Sequence, residues 1–99
     1  MIVGAMGSEA VEPPGIAAER LVAETRMRAA QLASLLSRTA DTLEQSAALA
    51  VAHAERYEQA QRNDDASQER RVAGRAGEAA RVARLRAEEW LELAAGRRR

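Results

Sequence analysis

One repeat constrains this chain more than anything else in it. Alanines and a few larger apolar residues recur at alternating steps of three and four: Ala29, Ala33, Leu36, Ala40, Leu43, Ala47, Ala50, Ala54 and Tyr57. Spacing this regular holds one seam of a helix against a partner helix, and it does so over many turns. Residues 16–62 contain neither Gly nor Pro, so nothing interrupts the helix that carries the seam. A second seam follows in Ala73, Ala76, Ala80, Ala83, Ala87, Trp90 and Ala94. Seams lined mainly by alanine let two helix axes approach to the short end of the usual range of about 8–10 Å.

Between the seams stands Arg62-Asn63-Asp64-Asp65-Ala66-Ser67-Gln68, without a large apolar residue. Asp65 followed by Gln68 has the form of a capping box, and Asp64 or Asn63 could cap equally well. The acids lie where a helix N-terminus is partly positive, and Arg62 lies where a cation favours the end of the preceding helix. The expectation is therefore an all-α antiparallel helical hairpin with a coiled-coil seam: helix 16–62, bend 63–65, helix 66–95. Centred there, the bend sets Trp90 opposite Leu36–Ala40 and Tyr57 opposite Val72 and Ala73, large against small. Residues 1–15, with Gly4, Gly7, Pro13, Pro14 and Gly15, read as a flexible arm in which Met6 could be the true start. Residues 96–99 read as a basic tail.

The two helices are unequal. At about 1.5 Å per residue the first reaches roughly 70 Å and the second roughly 45 Å. Folded back, the second ends near the level of residue 34, and Leu21, Val22, Met27 and Leu32 overhang with nothing in the hairpin to cover them. The first helix also carries Leu32, Leu35, Thr39, Thr42, Ser46, Leu49 and His53 beside its seam, a stripe wider than one partner helix needs. Leu21, Val22, Met27, Leu32, Leu35, Leu49 and His53 are thus the candidate partner-binding residues. Trp90 belongs to the hairpin seam.

Composition narrows the chemistry. The chain has 99 residues, one Trp, one Tyr and no Phe, and much of its apolar content is alanine, so a large self-sufficient core is not expected. Cysteine is absent, which removes disulfides and thiolate chemistry, and His53 is the only histidine, too little for a transition-metal site. Asp64–Asp65 and Glu88–Glu89 are neighbours in sequence, yet adjacent helical residues point in different directions and cannot share a proton. Gly74 and Gly77 follow no strand and precede no Gly-Lys-Ser/Thr; they weaken the second helix by about 1 kcal/mol each relative to alanine. An enzyme is not expected, nor any cofactor or metal.

Charge points the same way. The net charge is zero, and all fifteen basic residues are arginine, as a GC-rich coding sequence produces. Residues 1–65 carry ten acids against six arginines, and 66–99 carry nine arginines against five acids, so antiparallel halves attract weakly. Arg70-Arg71, the Arg81/Arg84/Arg86 group and the terminal Arg97-Arg98-Arg99 raise nucleic-acid binding, but Glu78, Glu88, Glu89 and Glu92 are interspersed and no helix-turn-helix is present. The opening residues lack the basic region of a signal peptide, and no stretch approaches the roughly 18 apolar residues of a membrane span. A cytoplasmic protein is expected.

Two runs, "RLVAETRMRAAQLASLLSRTADTLEQSA" and "ERRVAGRAGEAARVARLRAEEWLELA", resemble small Ala/Arg-rich helical-hairpin proteins of GC-rich bacteria. Some of these resemble antitoxins encoded beside nucleotidyltransferase-type toxins. The resemblance covers about residues 20–95 and rests on composition and seam spacing. It implies a partner protein, a toxin that modifies tRNA, neutralised by direct binding and occlusion, with the acidic first half covering a basic groove. The alternatives are a self-associating four-helix bundle, formed as a homodimer of hairpins, and a WXG-like secreted hairpin. That last family places Trp-x-Gly at its bend, where this chain has Asn63-Asp64-Asp65.

Overall fold

A computed structural model describes residues 13–97; most of the N-terminal arm and the last two residues of the basic tail lie outside the described residues. Two helices account for nearly all of it. Helix α1 spans Pro14–Gln59 and helix α2 spans Asn63–Ala94, and α2 folds back along α1. The chain is an all-α antiparallel helical hairpin.

Helix α1 begins two residues earlier than the glycine and prolines of the arm imply. Pro14 occupies the first turn, where its fixed φ suits a helix and its missing N–H costs nothing. The carbonyl of Pro13 accepts from the N–H groups of Ile16 and Ala17 at 3.1 and 3.2 Å.

The turn also differs from the expected bend. It occupies residues 60–62, not 63–65, so α1 ends at Gln59 and Asn63, Asp64 and Asp65 already belong to α2. The stop is a Schellman motif: the N–H of Arg62 donates to the Tyr57 carbonyl at 2.8 Å and that of Gln61 to the Glu58 carbonyl at 3.0 Å. Gln61 takes the left-handed conformation this motif requires, with φ of 60°. No side-chain capping bond forms at the start of α2, so the expected capping box is absent. Asp64 and Asp65 instead lie in the first turn beside the helix's positive end. Arg62 precedes α2 as its cap residue, pairs with Asp65 at 2.6 Å and stands 4.9 Å from the centre of the Tyr57 ring.

Helix α2 stops by the same motif, with Gly96 at φ 74° where α1 has Gln61. Glycine adopts this conformation without the Cβ clash that costs other residues about 1 kcal/mol. Gln61→Gly is therefore expected to raise stability by about 1 kcal/mol, measured by thermal or urea unfolding. An unchanged midpoint would mean that the turn carries no such strain.

The interior of the hairpin is alanine. Ala29, Ala33, Ala40, Ala50 and Ala54 of α1 and Ala66, Ala80, Ala83 and Ala87 of α2 are buried, and no larger side chain among the described residues is fully buried. Leu36 and Leu43 pack half-buried against Ala40, Ala80 and Ala83. Ala47, Ala73, Tyr57 and Trp90 are half-buried along the same line. Alanine loses no rotamer freedom on burial, but each methyl withdraws little surface from water. Close contact here comes with modest stabilisation.

The earlier turn shifts the register. With Ala40 packed on Ala80 and Ala83, Trp90 falls level with Ala33 and not with Leu36–Ala40, and Tyr57 falls level with Ala66 and not with Val72 and Ala73. Helix α2 also reaches further along α1 than expected, bringing Gly96 beside Arg26. The overhang consequently covers about 14–25, and Leu32 lies alongside α2.

Candidate protein-docking face

The hairpin has two unlike flanks. On one, residues a step beyond the seam carry the interhelix ion pairs. Arg84 donates from Nη2 to Asp41 Oδ1 at 2.6 Å and from Nε to Glu44 Oε1 at 2.7 Å. Arg70 donates from Nη2 to Glu58 Oε1 at 2.6 Å and from Nε to Oε2 at 3.3 Å. Hydrogen bonding and charge from Arg70 hold the Glu58 carboxyl below its ordinary pKa, and Asp41 and Glu44 raise the Arg84 guanidinium. For Glu58 the small stabilisation is present above the ordinary carboxylate range and is lost as pH falls through the lowered value. These groups are solvent-exposed, so they fix which flanks face each other more than they stabilise the fold.

On the other flank α1 shows the stripe Leu32, Leu35, Thr39, Thr42, Ser46, Leu49 and His53, uncharged from end to end and bounded by Arg28 and Arg56. Leu35 and Leu49 are exposed by 52% and 57%. The threonine hydroxyls are turned back onto their own helix: Thr39 Oγ1 donates to the Leu35 carbonyl at 2.9 Å and Thr42 Oγ1 to the Arg38 carbonyl at 3.1 Å. With those donors satisfied internally, the middle of the stripe offers little that requires water.

The candidate partner-binding residues divide by helical position. Leu21, Leu32, Leu35, Leu49 and His53 share the stripe. All are exposed except His53, which is half-buried and lines a shallow hollow with Arg56, Tyr57, Ala60 and Arg62 beside the turn. Val22 continues the seam line seven residues before Ala29, and with Leu21, Thr25, Arg26, Leu93 and Gly96 it lines a hollow where α2 ends. Met27 is exposed on the side of α1 turned away from the seam, apart from the others.

Helix α2 contributes residues that the reading of α1 overlooked. Leu93 shares the hollow with Leu21 and Thr25, which places it on the uncharged flank of α1. Val82, eleven residues earlier, lies in nearly the same direction from the helix axis. Both are exposed. The residues just before each α2 seam position would have revealed them, but there Arg75, Arg86 and Glu89 interrupt the apolar pattern.

No helix among the described residues is long and apolar enough to cross a membrane. Compared with family models, with curated protein sequences and with solved structures, the chain matches none.

Proposed function

We propose that this chain is a non-enzymatic protein-binding regulator that acts by docking the flank with its uncharged stripe and its overhang onto protein surface. One observation carries this reading. Among the described residues the interior holds nine buried alanines, while Leu21, Leu32, Leu35, Leu49, Val82 and Leu93 all remain exposed. A chain that buries its smallest apolar residues and displays most of its leucines gains from a further protein. The resemblance to hairpin antitoxins supports the finer reading, in which the chain neutralises a nucleotidyltransferase-type toxin in the cytoplasm by occluding it.

Capture experiments test this. Protein immobilised through its C-terminus is exposed to extract, and bound chains are identified by mass spectrometry. Leu21→Glu in the overhang and Leu35→Glu on the flank are each expected to reduce capture roughly tenfold, with helix content by circular dichroism unchanged. Undiminished capture by both variants would rule the docking surfaces out. A nucleotidyltransferase among the captured chains would support the finer reading, and its absence would count against it.

A further inference from the structure

The flank that carries the uncharged stripe of α1 has a symmetry that bears on what covers it. On α1, Leu35 and Leu49 stand seven residues either side of Thr42. On α2, Arg75 and Glu89 stand seven residues either side of Val82. The register seen in the packing of Ala40 against Ala80 and Ala83 places Val82 within about one to two residues, roughly 2–3 Å, of the level of Thr42 across the hairpin. Both centres therefore lie close to one line that crosses the two helices nearly at right angles.

We propose that this flank is occupied by a second copy of the chain, related by a two-fold axis along that line. This rests on the reading of the flank as a protein-docking face and names its occupant. A two-fold interface must be self-complementary, each residue meeting a partner that it meets again by symmetry. Rotation about this axis sets Leu35 on Leu49 of the second copy, Thr42 on Thr42 and Val82 on Val82. It also sets Arg75 on Glu89 of the second copy, twice, so opposite charges meet at both sites on the α2 side. Small residues lie at the centre and leucines on either side, which permits two α1 helices to approach closely.

Size agrees as well. The stripe runs roughly 30 Å, and a face two helices wide is about 20 Å across. Two such faces withdraw on the order of 1,200 Å² in total, just above the roughly 1,000 Å² that a specific interface requires. At the rims the same axis sets Arg28 opposite Arg56 of the second copy, a solvent-exposed like-charge contact that salt screens. The product is a four-helix bundle of modest affinity. Its two overhangs project from opposite ends and remain available to another protein, so the captured chain that Leu35→Glu removes is the second copy and the one that Leu21→Glu removes is the other protein.

Sedimentation equilibrium of the full chain tests this. At about 50 µM the mass should be twice the 10.7 kDa of one chain. Leu35→Glu should return it to a monomer. Arg75→Glu or Glu89→Arg alone should weaken dimerisation roughly tenfold, and the double exchange should restore it to within about threefold of wild type. Three results would each overturn the proposal: a wild-type monomer at that concentration, a dimer indifferent to Leu35→Glu, or a double exchange no stronger than the single ones. A monomer whose capture of other chains still falls with Leu35→Glu removes the second copy and leaves the docking face standing. A monomer indifferent to Leu35→Glu in both assays removes the second copy and the flank together.

Discussion

Ala40→Leu should lower the free energy of unfolding by about 2–3 kcal/mol, among the larger losses a single apolar substitution produces. Ala40 is 0% exposed and lies in the cluster with Ala80 and Ala83, where alanine methyls meet and Leu36 and Leu43 pack half-buried against them. Three added carbons have no void to enter. The axes must separate, and the separation is felt along the seam at Ala33, Ala50 and Ala54, whose contacts depend on the same short distance. Ala48→Leu, on the exposed side of α1, is the control and should stay within about 0.5 kcal/mol of wild type. Urea unfolding followed by circular dichroism measures both. Equal stability of the two variants would mean that the seam is not close-packed.

The second large effect has the opposite sign. Gly74→Ala and Gly77→Ala together should stabilise the hairpin by about 2 kcal/mol, the sum of two helix-propensity gains. A Cβ at either position meets no heavy atom within 4 Å, so the substitutions add helix preference and no clash. Gly96 offers the contrast: its φ is 74°, and a Cβ there would lie 2.6 Å from Arg26 Nη2, so alanine at that position should destabilise. Two unforced glycines within four residues leave the first half of α2 the least stable part of the seam. The double variant should therefore also slow amide exchange over 63–77. A neutral or destabilising result would show that something outside the hairpin approaches those glycines closely.

How much of this is legible in the residues themselves depends on what encodes it. The seam is written in periodicity, because a three-four spacing of alanines has one geometric consequence. The hairpin follows from two such seams separated by a polar interval. The position of the turn is hidden. The helix ends at Gln59 and is stopped by Gln61, a residue with no particular preference for the left-handed conformation, while the polar run that draws attention, Asn63-Asp64-Asp65, is the first turn of the next helix. The register of Trp90 and Tyr57 and the length of the overhang inherit that displacement.

The uncharged stripe on α1 is visible because no charge interrupts it between residues 32 and 53. Its continuation on α2 is masked by Arg75, Arg86 and Glu89, and it emerges only when the ion pairs of Arg84 and Arg70 show which flanks face each other. Met27 illustrates the limit of reading apolar residues by segment. It falls in the expected overhang, yet its helical position carries it away from the stripe.

An interior of alanine is expected to leave the isolated hairpin weakly protected. Hydrogen exchange on the protein at submicromolar dilution tests it most directly. Amides over 14–25 should exchange at close to unstructured rates, with seam amides around Ala40 and Ala80 protected by no more than about a thousandfold. Strong, uniform protection along the whole of α1 in a dilute monomer would contradict it.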